Sequence, residues 1–312
     1  MMSGLRVRML TLLAALAFLT DGCNSKPPAE LQPSQFSGAR AYEYVRQQVS
    51  FGPRPSGSAA LERTAGYIKT ELQSDGLTVD EQVFTAPTPY GPKQFRNIVA
   101  KSRLQTDGPG RVIIIGSHYD TKFMTNVTFV GANDAGSSTG VLLEIARVAA
   151  AQPNLWFVFF DGEEALVNYD SQDGLWGSKF FVENLKTRNE LKSVKAMVLL
   201  DMVGDANLNI TIPANSAGWL MQKVFEASRA IGFRDYFGLY PVDMIDDHVP
   251  FLRAGIPAID LIDFEFGSAP GLNDYWHTDK DTLDKISPHS LEVVGQTTLQ
   301  LVELLRYEAP GR

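Results

Sequence analysis

Apolar and polar positions alternate in blocks along most of the chain. Residues 41–49 and 61–72 carry apolar side chains at helical spacing, and Gly52-Pro53-Arg54-Pro55-Ser56-Gly57 between them reads as a turn-rich loop. Residues 78–84 and 95–100 then read as a pair of strands. Continuous apolar runs at 112–116, 155–160, 196–200 and 256–262 are of the kind found in strands covered on both faces. Helical patterns fall between and after them, at 139–151, 179–188, 219–230 and 291–306. Strands alternating with helices predict an α/β fold, a three-layer sandwich whose mixed, mostly parallel central sheet is flanked by helices. The two leading strands, which precede the first crossover, predict an antiparallel edge.

The N-terminal pattern is of another kind. Arg6 and Arg8 make a short basic start, and residues 9–19 form an apolar run too short to span a bilayer comfortably. That run ends in Leu19-Thr20-Asp21-Gly22-Cys23, which resembles a bacterial lipoprotein signal, although Leu19 lies four positions before the Cys and Asp21 is a polar intruder. The expected organisation is a signal peptide over 1–22, a lipidated Cys23, a flexible Pro-, Ser- and Gln-rich tether over 23–37, and one catalytic domain over 38–309. The mature protein is then exported to the periplasm or cell envelope, and it meets a membrane only through that anchor.

Composition narrows the chemistry. The chain has 312 residues, 44% of them hydrophobic, enough for a sizeable core. Its 36 Asp and Glu against 28 Lys and Arg give a formal charge of −8, which argues against nucleic acid as a partner. Cys23 is the only cysteine, so an internal disulfide framework and a thiolate zinc cluster are both excluded. Any metal site must be built from His, Asp and Glu.

Open α/β sheets place their sites beyond the carboxyl ends of the strands. Polar residues gather there in this sequence: Ser117-His118-Tyr119-Asp120 follows 112–116, Asp161-Gly162-Glu163-Glu164 follows 155–160, and Asp201 follows 196–200. Trp276-His277 comes a loop after 256–262, and Gly131-Ala132-Asn133-Asp134-Ala135-Gly136 leads into a helix. One such residue is ordinarily a capped or solvated group; five converging on one edge suit Zn²⁺ with an open coordination position. If Glu164 coordinates a metal, its neighbour Glu163 is left free to act as a general base.

In order along the chain, these motifs and Trp276-His277-Thr278 resemble the zinc aminopeptidase superfamily. Within it, the stretch from Tyr169 to Ser178 and the segment Asp246-Asp247-His248-Val249-Pro250-Phe251-Leu252 resemble the animal-type glutaminyl-peptide cyclotransferases. The resemblance implies a zinc aminopeptidase-like fold with one catalytic zinc on Asp134, Glu164 and His277. It also implies Glu163 as proton shuttle, Asp201 and Asp246 in a hydrogen-bonded network beside the metal, and Trp276, Tyr169 and Phe266 around the substrate. Positions of a second metal in the two-zinc aminopeptidases are filled by His118 and Asp201, so two zincs remain open. The implied reaction is attack of the α-amine of an N-terminal Gln on its own side-chain amide, closing pyroglutamate and releasing ammonia, with peptides or proteins as substrates. A secreted zinc aminopeptidase and a non-enzymatic binding lipoprotein on the same fold are the competing readings.

Departures from the animal pattern are Tyr169 in place of Trp, Asp260 in place of a common His, and Ser117 and Thr139 at the positions of a cysteine pair. His248 reads as structural, with Asp246 and Asp247 as helix-capping residues. His289 reads as a surface residue, and Asp205, Asp279 and Asp281 as solvated loop residues.

Overall fold

The computed structural model describes residues 30–106, 108, 111–170 and 172–307. Its strands are β1 (Thr78–Thr88), β2 (Gly91–Lys101), β3 (Val112–His118), β4 (Leu155–Phe160), β5 (Val194–Asp201), β6 (Ile210–Pro213), β7 (Phe237–Tyr240) and β8 (Ala258–Ile262). Six of them form one sheet in the order β1-β2-β4-β3-β5-β8, and β6 pairs with β7 in a small second sheet. β1 and β2 run antiparallel, β2 joins β4 antiparallel, and the pairings of β4 with β3, β3 with β5 and β5 with β8 are parallel. The expected antiparallel edge is therefore the β1–β2 hairpin. The β6–β7 pair was not legible, because four-residue strands are too short to show a period.

The helices are α1 (Gly38–Ser50), α2 (Ala59–Ser74), α3 (Ser138–Ala149), α4 (Trp176–Thr187), α5 (Gly218–Ala230), α6 (His248–Arg253) and α7 (Pro288–Tyr307). Ser37 and Ser58 start α1 and α2 by accepting the N–H of Arg40 and Leu61 on their hydroxyls. Every residue of β3, β4 and β8 is buried, as their unbroken apolar runs require. The period of two divides each strand between two cores. Ile113, Ile115, Phe157, Phe159, Val198 and Leu200 face the layer that holds α1, α2, α3, α5 and α7. Ile114, Trp156, Val158, Phe160 and Leu199 face α4 and α6. Each such side chain contributes roughly 1.5–3 kcal/mol by leaving water, so the sheet is a rigid platform for whatever sits at its ends.

One boundary is corrected. The signal, the lipidation point and residues 23–29 of the tether lie outside the described residues, but residues 30–37 are not free. Leu31 and Phe36 are each only 3% exposed and belong to the main core, and the Ser37 N–H donates to the buried Glu144 carboxylate at 3.1 Å. A run poor in apolar residues still anchors when those it has meet a groove. Here the groove is made by Gly295 of α7, where a Cβ would come within 2.2 Å of the Phe36 ring. Among the described residues no helix is long and apolar enough to cross a membrane.

This packing reverses an ordinary expectation. Alanine is favoured over glycine by about 1 kcal/mol inside a helix, yet Gly295→Ala should lower the thermal midpoint, because the new methyl displaces the Phe36 ring. In a Phe36→Ala background the same change should be neutral or stabilising. Thermal denaturation of the four proteins of this cycle checks it, and a stabilised Gly295→Ala single variant would mean that the 31–36 segment does not pack on α7.

Candidate active site

The carboxyl ends of β3, β4, β5 and β8 present one cluster of polar side chains. His118 closes β3 and Asp201 closes β5, while Glu163 and Glu164 lie in the loop that leaves β4. Asp134 comes from the turn before α3, whose Asp134–Ala135 peptide is cis. His277 comes from the long loop after β8.

The Asp134 turn is held from two sides. The Asp281 carboxylate accepts the N–H of Asn133 at 2.6 Å and of Asp134 at 3.0 Å. The guanidinium of Arg54 donates to the carbonyls of Val130 at 2.7 Å and Gly131 at 2.9 Å. Both side chains are fully buried. Asp281 is thus not a solvated loop residue, and neither is Asp205, which is buried with its carbonyl accepting from the Ser290 hydroxyl at 2.6 Å. Arg54 was missed because a Pro-flanked Arg reads as a turn; its burial depends on a loop 76 residues away. His289 is exposed, as expected.

Two donor sets share Asp134. His277 Nε2 is 3.0 Å from Glu164 Oε1 and 3.3 Å from Asp134 Oδ2. His118 Nε2 is 3.2 Å from Asp134 Oδ1 and 3.3 Å from Asp201 Oδ1. Metal–ligand bonds of about 2.0–2.2 Å in a tetrahedron place neighbouring donor atoms about 3.3 Å apart, so Asp134, Glu164 and His277 fit a zinc-sized ion, and the spacing of His118, Asp134 and Asp201 fits another. The electrostatics agree. Burial alone would lower the His277 pKa, but Glu164 and Asp134 raise it to about 10. Burial would raise Asp134, yet the imidazoles of His118 and His277 hold it well below the usual carboxylate range. This centre favours positive charge between its oxygens.

A cavity of about 250 Å³ opens beside these donors. Glu163, Asp201, Asp246 and Tyr169 line it together with Phe264, Trp276, Met244 and Ile245. The Trp276 indole stacks on the His277 ring with centroids 4.0 Å apart, and Phe264 meets Trp276 edge-on at 5.3 Å. Phe264 therefore supplies the aromatic wall expected of Phe266. Phe266 is fully buried behind it, against Tyr275 at 5.4 Å and in one apolar cluster with Met202 and Ile262. Both follow β8 closely in the sequence, and only the fold shows which of the two faces the cavity. Glu163 lies outside both donor sets. Burial, with Glu164 nearby, raises its carboxyl well above the usual range, and burial raises Asp201 and Asp246 as well. Lys122, also missed in the sequence, sits 3.6 Å from Glu164 Oε2 and donates to the Ala165 carbonyl at 2.5 Å.

Asp246 and Asp247 do not cap α6. Asp247 precedes the helix without a side-chain capping bond, because both carboxyls turn inward and are buried with His248 and Asp260. His248 is fully buried with Nδ1 3.9 Å from Asp260, and desolvation lowers its pKa to about 4. Ser117 and Thr139 bring their hydroxyls to 3.4 Å under His118, whose carbonyl accepts from Thr139 at 2.8 Å.

The sequence pattern of peptidase family M28 matches residues 97–302. Among solved structures, a glutaminyl cyclase from an Acidobacteriales bacterium superposes with a TM-score of 0.82 at 35% identity, covering 90% of this chain and 98% of that one. A Zn-dependent exopeptidase from Parabacteroides distasonis superposes with a TM-score of 0.75 at 28% identity, covering 88% and 99%. A curated relative, the glutaminyl-peptide cyclotransferase of Gloydius blomhoffii, is 30% identical over 286 residues, covering 75% of this chain and 74% of its own.

Asp281 gives this site a test that needs no substrate. Asp281→Ala removes the acceptor of two buried N–H groups, each worth about 1–3 kcal/mol when left unsatisfied. Hydrogen exchange at Asn133 and Asp134 should accelerate strongly while amides of β4 stay protected. Unchanged exchange at both positions would mean that the turn does not depend on this clamp.

Proposed function

The chain belongs to peptidase family M28, and from that premise we propose that it is a zinc-dependent glutaminyl-peptide cyclotransferase acting on peptides or proteins with N-terminal Gln. One observation carries the catalytic reading: Glu163 is a buried carboxyl facing the cavity, adjacent to the Asp134, Glu164 and His277 donors yet outside their set. The choice of cyclisation over hydrolysis is supported by the names of the relatives, which include cyclases at higher identity than the exopeptidase.

Zinc held by Asp134, Glu164 and His277 would supply a Lewis acid for the side-chain amide carbonyl of the substrate. Everything else falls to the chain's own residues. Glu163 accepts a proton from the α-amine as the amine nitrogen bonds to the amide carbon. It then returns that proton to the amide nitrogen as the carbon–nitrogen bond breaks and ammonia leaves. A carboxyl whose affinity for protons is raised by burial suits both halves of this transfer. Trp276 and Phe264 fix the glutamine side chain against the donors and keep water from the reacting carbon. Nucleophile and electrophile share one residue, so little orientational entropy remains to be lost. In the same reading Cys23 carries a lipid that holds the domain at the cell envelope through residues 24–29.

Mass spectrometry of a Gln-initiated peptide tests the activity: loss of ammonia is expected, and release of free Gln would replace the cyclase by an aminopeptidase. Metal analysis of the same preparation should give one zinc per chain. The two glutamates should separate. Glu164→Gln is expected to lose zinc together with activity, whereas Glu163→Gln should keep its zinc and fold and lose on the order of 10²–10⁴ in rate. If Glu163→Gln loses metal and Glu164→Gln keeps it, the roles are exchanged. For the anchor, Cys23→Ser should move the protein from the membrane fraction to the soluble one with its specific activity intact. A wild-type protein already soluble would remove the lipid from the account.

A further inference from the structure

The loop between Glu164 and α4 is built as a small cage. The Asp173 carboxylate accepts the N–H groups of Leu166 at 2.8 Å, Val167 at 2.7 Å and Asn168 at 3.0 Å. Asp170 accepts those of Gln172 at 2.6 Å and Asp173 at 3.0 Å. Gly174, at φ +88°, leaves the space where a Cβ would come within 3.2 Å of the Tyr169 ring, and the Lys122 ammonium lies 4.9 Å over that ring's centroid. The cage therefore fixes Tyr169, and its hydroxyl ends 2.9 Å from Glu163 Oε2 and 2.7 Å from Glu164 Oε2.

A count of protons gives this contact meaning. A phenol has one proton to donate and lone pairs to accept with, whereas an ionised carboxylate only accepts. The single hydroxyl proton can serve either carboxylate, so Tyr169 joins Glu163 Oε2 and Glu164 Oε2 through one bridging group. Glu164 is divided by the same contact: Oε1 faces His277 at 3.0 Å, and Oε2 is taken by Tyr169 with Lys122 at 3.6 Å. Partners of this kind behind a ligand orient it and tune its affinity.

We propose that Tyr169 is a positioning residue whose hydroxyl, not its ring, links the proton shuttle to the metal-ligating carboxylate. It turns one oxygen of Glu164 toward the donor set and holds the Glu163 carboxyl at the cavity wall beside it. The inference rests on the roles proposed above for Glu163 and Glu164.

Tyr169→Phe keeps the ring and the cage and deletes the hydroxyl. With a Gln-initiated dipeptide, kcat should fall on the order of 10–100-fold while KM stays within about twofold, and zinc affinity, measured by competition with a chromogenic chelator, should fall by a similar order. Tyr169→Leu, which also removes the ring, should add a rise in KM. If the hydroxyl is idle, Tyr169→Phe will show wild-type kcat and wild-type zinc affinity, or a raised KM alone, and either result overturns the proposal. The two readouts separate its failure from that of the function: a wild-type protein that releases no ammonia removes the cyclase reading, while the chelator competition still reports whether Tyr169 supports Glu164.

Discussion

Buried negative charge is the constraint around which this structure is arranged. Asp120, Asp134, Glu163, Glu164, Asp201, Asp246, Asp247 and Asp260 are all buried at one end of the sheet, and His118, His277 and Lys122 are the basic groups that approach the Asp134 and Glu164 carboxylates. An isolated carboxylate in a dry interior costs several kcal/mol, so such a cluster persists only if it shares protons or holds a cation. The structure divides the two solutions in space. Around Asp134 the imidazoles favour charge and keep its carboxyl ionised, which is the condition for a metal ligand. Around Glu163, Asp246 and Asp260, burial and mutual repulsion favour the proton, which is the condition for a group that exchanges one. In the proposed roles, donor and shuttle are set by environment more than by residue type, since Glu163 and Glu164 are identical and adjacent.

Such a division needs a platform that does not yield. The strands beneath the site are buried on both faces, and their loops leave the sheet under local strain: Met202 directly after Asp201, and His277 itself, adopt positive φ of 47° and 54°. Left-handed backbone is unfavourable for residues other than glycine. It is sustained here by what surrounds it, with His277 clamped between the Trp276 indole and two carboxylates and Met202 packed against Ile262 and Phe266. Of the five non-glycine residues with positive φ among the described residues, these two adjoin the site and Asn154, Leu175 and Asn189 lie in other loops; held backbone beside the donors fits a preorganised site.

The legible part of the sequence is the part with a short period. Unbroken apolar runs marked β3, β4, β5 and β8, their ends marked the polar cluster, and both follow from local rules about strands covered on two faces. What escaped has its partner far along the chain. Arg54 and Asp281 look like ordinary loop residues until the Asp134 turn is folded between them, and Asp246 and Asp247 look like caps until the loop before α6 turns them inward. Phe264 and Phe266 stand two positions apart in a loop whose path no pattern specifies. Leu31 and Phe36 show the converse error, in which composition suggested a tether and two side chains in a glycine-lined groove decided otherwise.

The donor sets alone do not choose the reaction. His118, Asp134 and Asp201 are spaced as well as Asp134, Glu164 and His277, so a two-metal hydrolase could be written on the same coordinating atoms. In the proposed reading the cavity wall bears on that choice. A hydrolase must admit a water beside the scissile bond, whereas ring closure brings its nucleophile inside the substrate and gains from a cavity that excludes water. Trp276, Phe264, Met244 and Ile245 line one part of the cavity and carboxyls such as Asp201 and Asp246 another, and Glu163 and Tyr169 are joined there by a hydrogen-bonded contact that also reaches Glu164. In that reading the carboxyl that takes the proton of the amine stands beside the donors, where the leaving nitrogen is also held, so the same group can return the proton.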